Sequence, residues 1–165
     1  MLFASSALTP PGRFTAGIEG PACDASGNVY AVNYERGGTI GVVTPEGEAA
    51  VYVELPGGSV GNGIRFDRKG DMYVADYVNH NILKIDRLTR AIAVHAHEPR
   101  MNQPNDIAIA RSGVIFASDP NWNDGTGNLW RIDRDGSVTL LEADMGTTNG
   151  IEVSVPSSFS VSLGK

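Results

Sequence analysis

Four oxygen-bearing residues recur along this chain at nearly constant intervals, and the segments that follow them repeat one template. The residues are 43, 43 and 44 positions apart and are Glu19, Asn62, Asn105 and Asn149. The template reads EGPACDASGNVYAVN, NGIRFDRKGDMYVAD, NDIAIARSGVIFASD and, in decayed form, NGIEVSVPSS. A fixed period of about forty residues in strand-forming sequence is typical of a β-propeller, in which each repeat forms a four-stranded blade beside a central channel. The chain is therefore predicted to be all-β.

The template divides the chain into three complete units and the first strand of a fourth. Each complete unit turns at a glycine, Gly27, Gly70 or Gly113, where a tight turn with positive φ favours this residue. The strands that follow alternate apolar with other residues, as a strand with one packed face does. The predicted divisions are a lead-in at 1–13, blades at 14–55, 56–98 and 99–144, a first strand of the fourth blade at 147–154 and an irregular tail at 155–165.

Three blades and one strand do not close a propeller, because known rings contain about four to eight blades. An open arc leaves sheet faces and edges exposed, and such edges promote aggregation. Two alternatives follow. Either the chain is a fragment of a larger propeller, or it closes its ring by pairing with a second copy as a homodimer, three blades plus three.

Composition excludes several classes of partner. The net charge is −6 and there is no cluster of Lys and Arg, so nucleic acid is not an expected partner. No apolar run approaches the roughly 18 residues of a membrane span, and the N-terminus lacks the features of a signal peptide, so no membrane partner and a cytoplasmic location are expected. The one cysteine, Cys23, excludes an internal disulfide and is expected to be a small buried filler.

The repeated Glu and Asn positions suggest a cation site on the propeller axis. A carboxylate and amide carbonyls are hard oxygen ligands, which suit calcium or magnesium better than zinc or copper. Three or four such ligands leave coordination positions for water and substrate, so a bound cation there would be able to polarise a carbonyl or phosphoryl oxygen. A second interpretation is that each Asn only makes the turn that enters its strand. Spacing alone leaves both interpretations open.

The segments IEGPACDASGNVYAVN, QPNDIAIARSGVIFASDP and TTNGIEVS resemble the senescence marker protein/gluconolactonase/luciferin-regenerating enzyme family, of which diisopropyl-fluorophosphatase is a near relative. The resemblance covers residues 14–154. It implies a six-bladed propeller with a divalent cation, most often calcium, in the central tunnel, and hydrolysis of a small-molecule lactone or related ester. The motifs E-G-P, P-N-D and N-G hold the family's metal ligands, here Glu19, Asn105 and Asn149.

The resemblance also suggests supporting roles for three further residues. Asn62 stands at the equivalent point of the second blade and is expected to face substrate or to support the ligands. Asp106, beside Asn105, is expected to orient the ligands through hydrogen bonds. Trp122 belongs to an insertion at 121–127, and either lines the mouth of a pocket or caps its own loop.

One part of the family pattern is missing from this chain. The family's fourth ligand, an aspartate one blade further on, is also its favoured general base or nucleophile and has no counterpart here, so the catalytic residues stay unknown. The segment VADYVNHNILKID also resembles an NHL-type repeat, which is common in binding modules without catalysis. Two functions are therefore kept: a calcium-dependent lactonase, complete or degenerate, and a non-catalytic module that binds a ligand or a protein through its channel face.

Overall fold

The computed structural model describes residues 5–154 and the backbone of 159–163, and within these ranges the chain forms strands and turns. The strands make three four-stranded sheets and one two-stranded sheet, and within each sheet every strand pairs antiparallel with the next along the chain. The all-β class predicted from the repeat is confirmed. Across the described ranges, no helix is long and apolar enough to cross a membrane.

Each complete sheet corresponds to one sequence repeat. The first sheet contains β1 Ala22–Cys23, β2 Val29–Val32, β3 Thr39–Val43 and β4 Ala49–Glu54. The second contains β5 Gly61–Phe66, β6 Met72–Asp76, β7 Asn81–Ile85 and β8 Ile92–His97. The third contains β9 Ile107–Ile109, β10 Ile115–Asn121, β11 Thr126–Ile132 and β12 Val138–Glu142. The fourth contains β13 Thr148–Val153 and β14 Phe159–Leu163.

The sheets stack side by side as the blades of a propeller do. The first strands β5, β9 and β13 contact one another in series, and β5 also contacts β1 and β2. These first strands are therefore the inner strands. All five residues of β6 are buried because its sheet is covered on both faces, whereas four of the five residues of β12 are exposed at the rim.

The hydrophobic core lies between neighbouring sheets. One cluster joins the first two sheets and includes Val32, Ile40, Ile64 and Val74. A second cluster joins the second and third sheets through Tyr73, Ile82, Ile107, Trp130 and Ile132, and a third joins the third and fourth through Ala108, Leu129 and Ile151. Because apolar burial is the main favourable term in folding, each blade is stabilised chiefly by its neighbours.

The turns that follow the inner strands have the geometry expected from the sequence. Gly27, Gly70 and Gly113 have φ of +83°, +86° and +86°, in the region that only glycine adopts readily. In each turn the glycine N–H donates to the carbonyl oxygen three residues earlier, at 2.9 to 3.1 Å. The predicted glycine turns are confirmed.

Two expectations are wrong. The tail 155–165 was expected to be irregular, but Phe159–Leu163 forms β14 and pairs with β13. Its sequence FSVSL alternates apolar residues with serine, which is the strand period, although it lacks the turn glycine of the template. Residues 1–4, 155–158 and 164–165 lie outside the described residues.

Cys23 was expected to be buried and is exposed, because it lies at the mouth of the cleft between the first two sheets.

We predict that stability depends on the charge of His95. Its ring packs edge-on against Tyr73, with 5.2 Å between ring centroids. The pKa of His95 is lowered from 6.5, chiefly because the ring is partly buried and secondly because the positive charge of Lys84 is nearby. The unfolded chain then binds a proton that the folded chain does not, so the free energy of unfolding falls as pH drops through 6.5. Urea unfolding at pH 7.5 and 5.5 measures this fall.

The matched variant for this test is His95→Gln, which keeps a polar side chain of similar size and does not titrate. The difference in unfolding free energy between the two pH values is expected to be smaller in the variant than in the parent chain. An equal difference in both chains would assign the pH dependence to other groups.

Candidate functional site

The four repeated positions lie on neighbouring chain segments at one end of the inner strands. Glu19 precedes β1, Asn62 lies near the start of β5, Asn105 precedes β9 and Asn149 lies near the start of β13. The contacts between these segments run in series from the first sheet to the fourth. The sequence-predicted site residues are therefore brought into one continuous arc of backbone.

The first step of the arc joins Glu19 to Asn62. Gly20, which follows Glu19, has φ of +56°, and a Cβ atom at Gly20 would collide with the carbonyl group of Asn62. The carbonyl of Glu19 also accepts a hydrogen bond from Val32 N at 3.2 Å, which ties this segment to its own sheet. The glycine of the E-G-P motif is thus required by a close approach of two backbones.

The second step joins Asn62 to Asn105. Gly63 N donates to the carbonyl oxygen of Asn105 at 2.7 Å. A Cβ atom at Gly63 would lie 2.7 Å from Cα of Asp106, a distance that real Cβ atoms essentially never show. The N-G pair of the second repeat therefore allows the second and third inner strands to approach closely.

The third step runs through the carboxylate of Asp106. Its Oδ2 accepts hydrogen bonds from Arg65 Nη2 at 3.0 Å and from Ile151 N at 3.2 Å, and its Oδ1 accepts one from Ile107 N at 2.8 Å. One side chain thus connects β5, β9 and β13. Because both oxygens are occupied, Asp106 holds the inner strands in register.

The side-chain oxygen atoms of the four repeated residues form no bonds to the described part of the chain. Within residues 5–154, the side chains of Glu19, Asn62, Asn105 and Asn149 make no hydrogen bond or ion pair. An asparagine that makes a turn normally bonds to nearby backbone, as the Asp24 carboxylate does here with Ser26 N at 2.8 Å. The side-chain oxygens of these residues are therefore available to a ligand, and the ligand set stays a prediction.

The donor set suits a hard cation. In the described part of the chain, no group of three or more His, Cys, Asp and Glu residues is placed to hold a metal ion. The arc offers one carboxylate, from Glu19, and three amide oxygens, from the asparagines. Asn105 is buried, whereas Glu19 and Asn149 are exposed. Carboxylate and amide oxygens fit calcium, which accepts neutral carbonyl ligands and water beside a carboxylate.

Trp122 lies at the same end of the third sheet as Asn105. The hairpin between β10 and β11 extends past the start of β9, and Trp122 at its tip is 40% exposed. Asn121 Nδ2 donates to Asp124 Oδ2 at 2.9 Å and closes the loop without using the indole ring. Both roles expected for Trp122, lining a pocket mouth and capping the loop, remain compatible with this position.

Sequence reasoning missed a second set of repeated polar residues, which anchors the loops before the site. These residues are Asn33, Asp76 and Asp119, again 43 positions apart; Asn33 directly follows β2, and Asp76 and Asp119 lie in the last part of β6 and β10. In the first sheet, Asn33 Nδ2 donates to the carbonyl oxygen of Gly17 at 2.6 Å, two residues before Glu19. The equal spacing of polar residues at the ends of apolar strands was the available signal.

The second sheet repeats this anchor with a buried carboxylate. Asp76 is fully buried, and its Oδ2 accepts hydrogen bonds from Ser59 Oγ at 2.7 Å and Asn81 Nδ2 at 2.9 Å. Ser59 lies three residues before Asn62. The loop that enters β5 is therefore fixed by a side chain of β6.

The third sheet also has a buried carboxylate as its anchor. Asp119 is fully buried, and its Oδ1 accepts hydrogen bonds from Asn102 N at 2.8 Å and Gln103 N at 2.7 Å, just before Asn105. Its Oδ2 accepts from Trp130 Nε1 at 2.8 Å. Burial raises the pKa of Asp119, and these N–H groups oppose the rise by stabilising the charged form.

Comparisons with known proteins agree with this geometry. A family model described as SMP-30/Gluconolactonase/LRE-like region matches residues 17–158. A gluconolactonase from Zymomonas mobilis is 26% identical over an alignment of 163 residues. The alignment covers 82% of this chain and 45% of the relative. The chain thus spans about half the length of this curated relative.

Solved structures show the same fold. A gluconolactonase from Xanthomonas campestris matches with a TM-score of 0.75 and 20% identity, over 92% of this chain and 56% of the other. Regucalcin from Agrobacterium tumefaciens, a calcium-binding protein, matches with a TM-score of 0.68 and 23% identity, over 87% of this chain and 50% of the other. At these identities the likeness establishes the propeller-type fold alone.

We predict that Asp119→Ala lowers the free energy of unfolding by about 3 kcal/mol, because it leaves the buried Trp130 indole N–H and the part-buried backbone N–H groups of Asn102 and Gln103 without this acceptor. Asp119→Asn retains one acceptor oxygen and is expected to cost less than the alanine variant. Urea unfolding of both variants measures the difference. Equal losses in the two variants would show that packing, and not hydrogen bonding, is what Asp119 contributes.

Proposed function

Since this chain belongs to the SMP-30/gluconolactonase/LRE-like family, we propose that it hydrolyses a lactone or related ester with the help of a calcium ion held by Glu19, Asn105 and Asn149. The observation behind this proposal is the arc of backbone that aligns these residues at one end of the inner strands. Their side-chain oxygens make no bonds within residues 5–154, so they are available to a ligand.

Each residue of the arc has a separate proposed role that follows from its chemistry. A bound divalent cation supplies polarisation of the substrate carbonyl and of a water molecule. Glu19 contributes the negative charge that balances the cation, while Asn105 and Asn149 contribute neutral carbonyl oxygens. Asn62 lies between Glu19 and Asn105 in the arc, and we propose that its amide either hydrogen-bonds a lactone oxygen or supports the ligands.

Asp106 supports this site without being free to act in the reaction. Its carboxylate is occupied by Arg65, Ile107 and Ile151, and so it fixes the spacing between Asn105 and the segment around Asn149. Ligands held by a network of this kind lose less conformational entropy when they bind an ion.

The rest of the ring is also part of the proposal. The solved gluconolactonase that shares this fold is matched over 56% of its length, so the chain supplies about half of such a propeller. We propose that the other half, with a general base, comes either from the remainder of a longer propeller or from a second copy of this chain in a homodimer.

A non-catalytic binding module is the alternative function. It is favoured by one observation: Glu19 is the one carboxylate among the four repeated positions, and the neighbouring Asp106 is already hydrogen-bonded on both oxygens. The arc described here therefore offers no unused carboxylate besides Glu19 to serve as a general base.

We predict that calcium stabilises the folded chain through Glu19. An ion that binds only the folded state raises the free energy of unfolding by about 2.7 kcal/mol at 100 times its Kd. Thermal melting with calcium and with a chelator measures the rise in Tm. Glu19→Gln, which keeps the shape and removes the charge, is expected to reduce this rise strongly.

The control for surface charge is Glu46→Gln, a change at an exposed glutamate in the turn between β3 and β4. It should leave the calcium-dependent rise in Tm unchanged. If Glu19→Gln retains the full rise, or if Glu46→Gln loses it equally, the proposed ligand set is wrong.

Catalysis is tested separately, with a simple δ-lactone and a pH-stat to follow the acid released. We expect hydrolysis that depends on calcium, is lost with chelator and is lost in Glu19→Gln. A rise in Tm with calcium but no hydrolysis would favour the binding module. Hydrolysis that survives the chelator would reject the metal mechanism.

A further inference from the structure

A second cleft lies at the opposite end of the inner strands from the arc of Glu and Asn residues. It separates the second and third sheets and has a volume of about 460 Å³. Its walls are formed by the turns that follow β5, β9 and β11, which place Arg68, Lys69, Arg111 and Arg134 around one opening. A cavity of this size is within the range of small-molecule sites.

The cleft is strongly cationic although the chain has a net charge of −6. Five Lys and Arg side chains line it, against the single carboxylate of Asp67. That carboxylate already accepts hydrogen bonds from Lys69 N at 2.8 Å and Asp71 N at 3.0 Å, and Lys84 is paired with Asp71 at 2.9 Å.

The remaining four cations have no anionic partner of their own. Arg68, Lys69, Arg111 and Arg134 are exposed, and none of them forms an ion pair with any described residue. Like charges held at one opening repel one another, so their convergence raises the free energy of the empty cleft and favours an anion within it.

The neighbouring cleft provides a comparison within the same molecule. It lies between the first and second sheets, has a volume of about 410 Å³, and is lined by three Arg and Lys side chains and two carboxylates. The difference arises in the turns after the inner strands. The first residue of these turns is Asp24, Asp67 and then Ala110, and the second is Ala25, Arg68 and then Arg111.

Compared with the second turn, the third turn has no carboxylate at its first position and the same arginine at its second, and its backbone hydrogen bond is the same. Gly113 N donates to Ala110 O at 2.9 Å, as Gly70 N does to Asp67 O at 3.0 Å. The turn does not need the aspartate in order to form, so its replacement by alanine changes the charge of the cleft more than its shape.

We infer that the cleft between the second and third sheets binds a small molecule that carries a phosphate or pyrophosphate group. Guanidinium groups bind phosphate oxygens through paired N–H donors, and three arginines from three separate turns converge here. The site is separate from the proposed lactonase site, because the two lie at opposite ends of the inner strands.

Calorimetric titration with inorganic pyrophosphate at low ionic strength tests this inference. We expect saturable binding that Arg111→Gln weakens about tenfold, since one charge-assisted hydrogen-bonding partner is lost. The matched control is Arg87→Gln, which removes an exposed arginine from the neighbouring cleft and should leave the affinity unchanged. Absence of saturable binding, or equal weakening by both variants, would overturn the inference.

A second variant tests the charge of the cleft without removing a cation. Ala110→Asp restores the carboxylate present in the other two turns, where its Oδ1 would accept backbone N–H groups as Asp67 does. The variant is expected to fold with an unchanged or higher Tm and to bind pyrophosphate at least tenfold more weakly. Undiminished binding by a folded Ala110→Asp chain would contradict an electrostatic site at this turn.

Discussion

The hydrogen bonds that join Asn33, Asp76 and Asp119 to the loops before the inner strands are the interaction on which the candidate site depends. Each anchor bonds to a residue two or three positions before a repeated Glu or Asn: Asn33 to the Gly17 carbonyl, Asp76 to the Ser59 hydroxyl and Asp119 to Gln103 N. A buried polar group left without its hydrogen-bonding partner costs about 1–3 kcal/mol, so a loop held in this way has one strongly preferred path. Because the anchor is repeated, the repeated Glu and Asn residues stand at the same end of the inner strand in each blade.

Contacts between blades then bring these equivalent positions together in a continuous arc of backbone. Gly20 and Gly63 allow adjacent inner strands to approach more closely than any side chain would permit, and Asp106 joins three strands through both of its oxygens. The apolar clusters also lie between sheets and not within them. Stability and site geometry consequently come from the same interfaces, and a change that separates two blades is expected to affect both.

The sequence was sufficient for those features that repeat. The 43-residue period predicted the all-β sheets and the turn glycines, because each depends on local pattern. It did not predict that Asp106 would bond to Arg65 and Ile151, which are 41 and 45 residues away, since such pairs depend on how blades pack. Strand β14 was missed because the tail was compared with the template, although its own alternation had the period of a strand.

The two ends of an inner strand are under different constraints, and this explains why one end is constant while the other varies. At the anchored end, replacing Asp119 would leave the buried Trp130 N–H and two part-buried backbone N–H groups without this acceptor, so the polar residue is structurally required. At the turn end, the backbone hydrogen bond forms equally well with Asp67 or Ala110, because the carboxylate is only an additional acceptor. Charge can therefore change from blade to blade at the turns without disturbing the arc. The same repeat that places Glu and Asn side chains uniformly at one end is free to build a cationic cleft at the other.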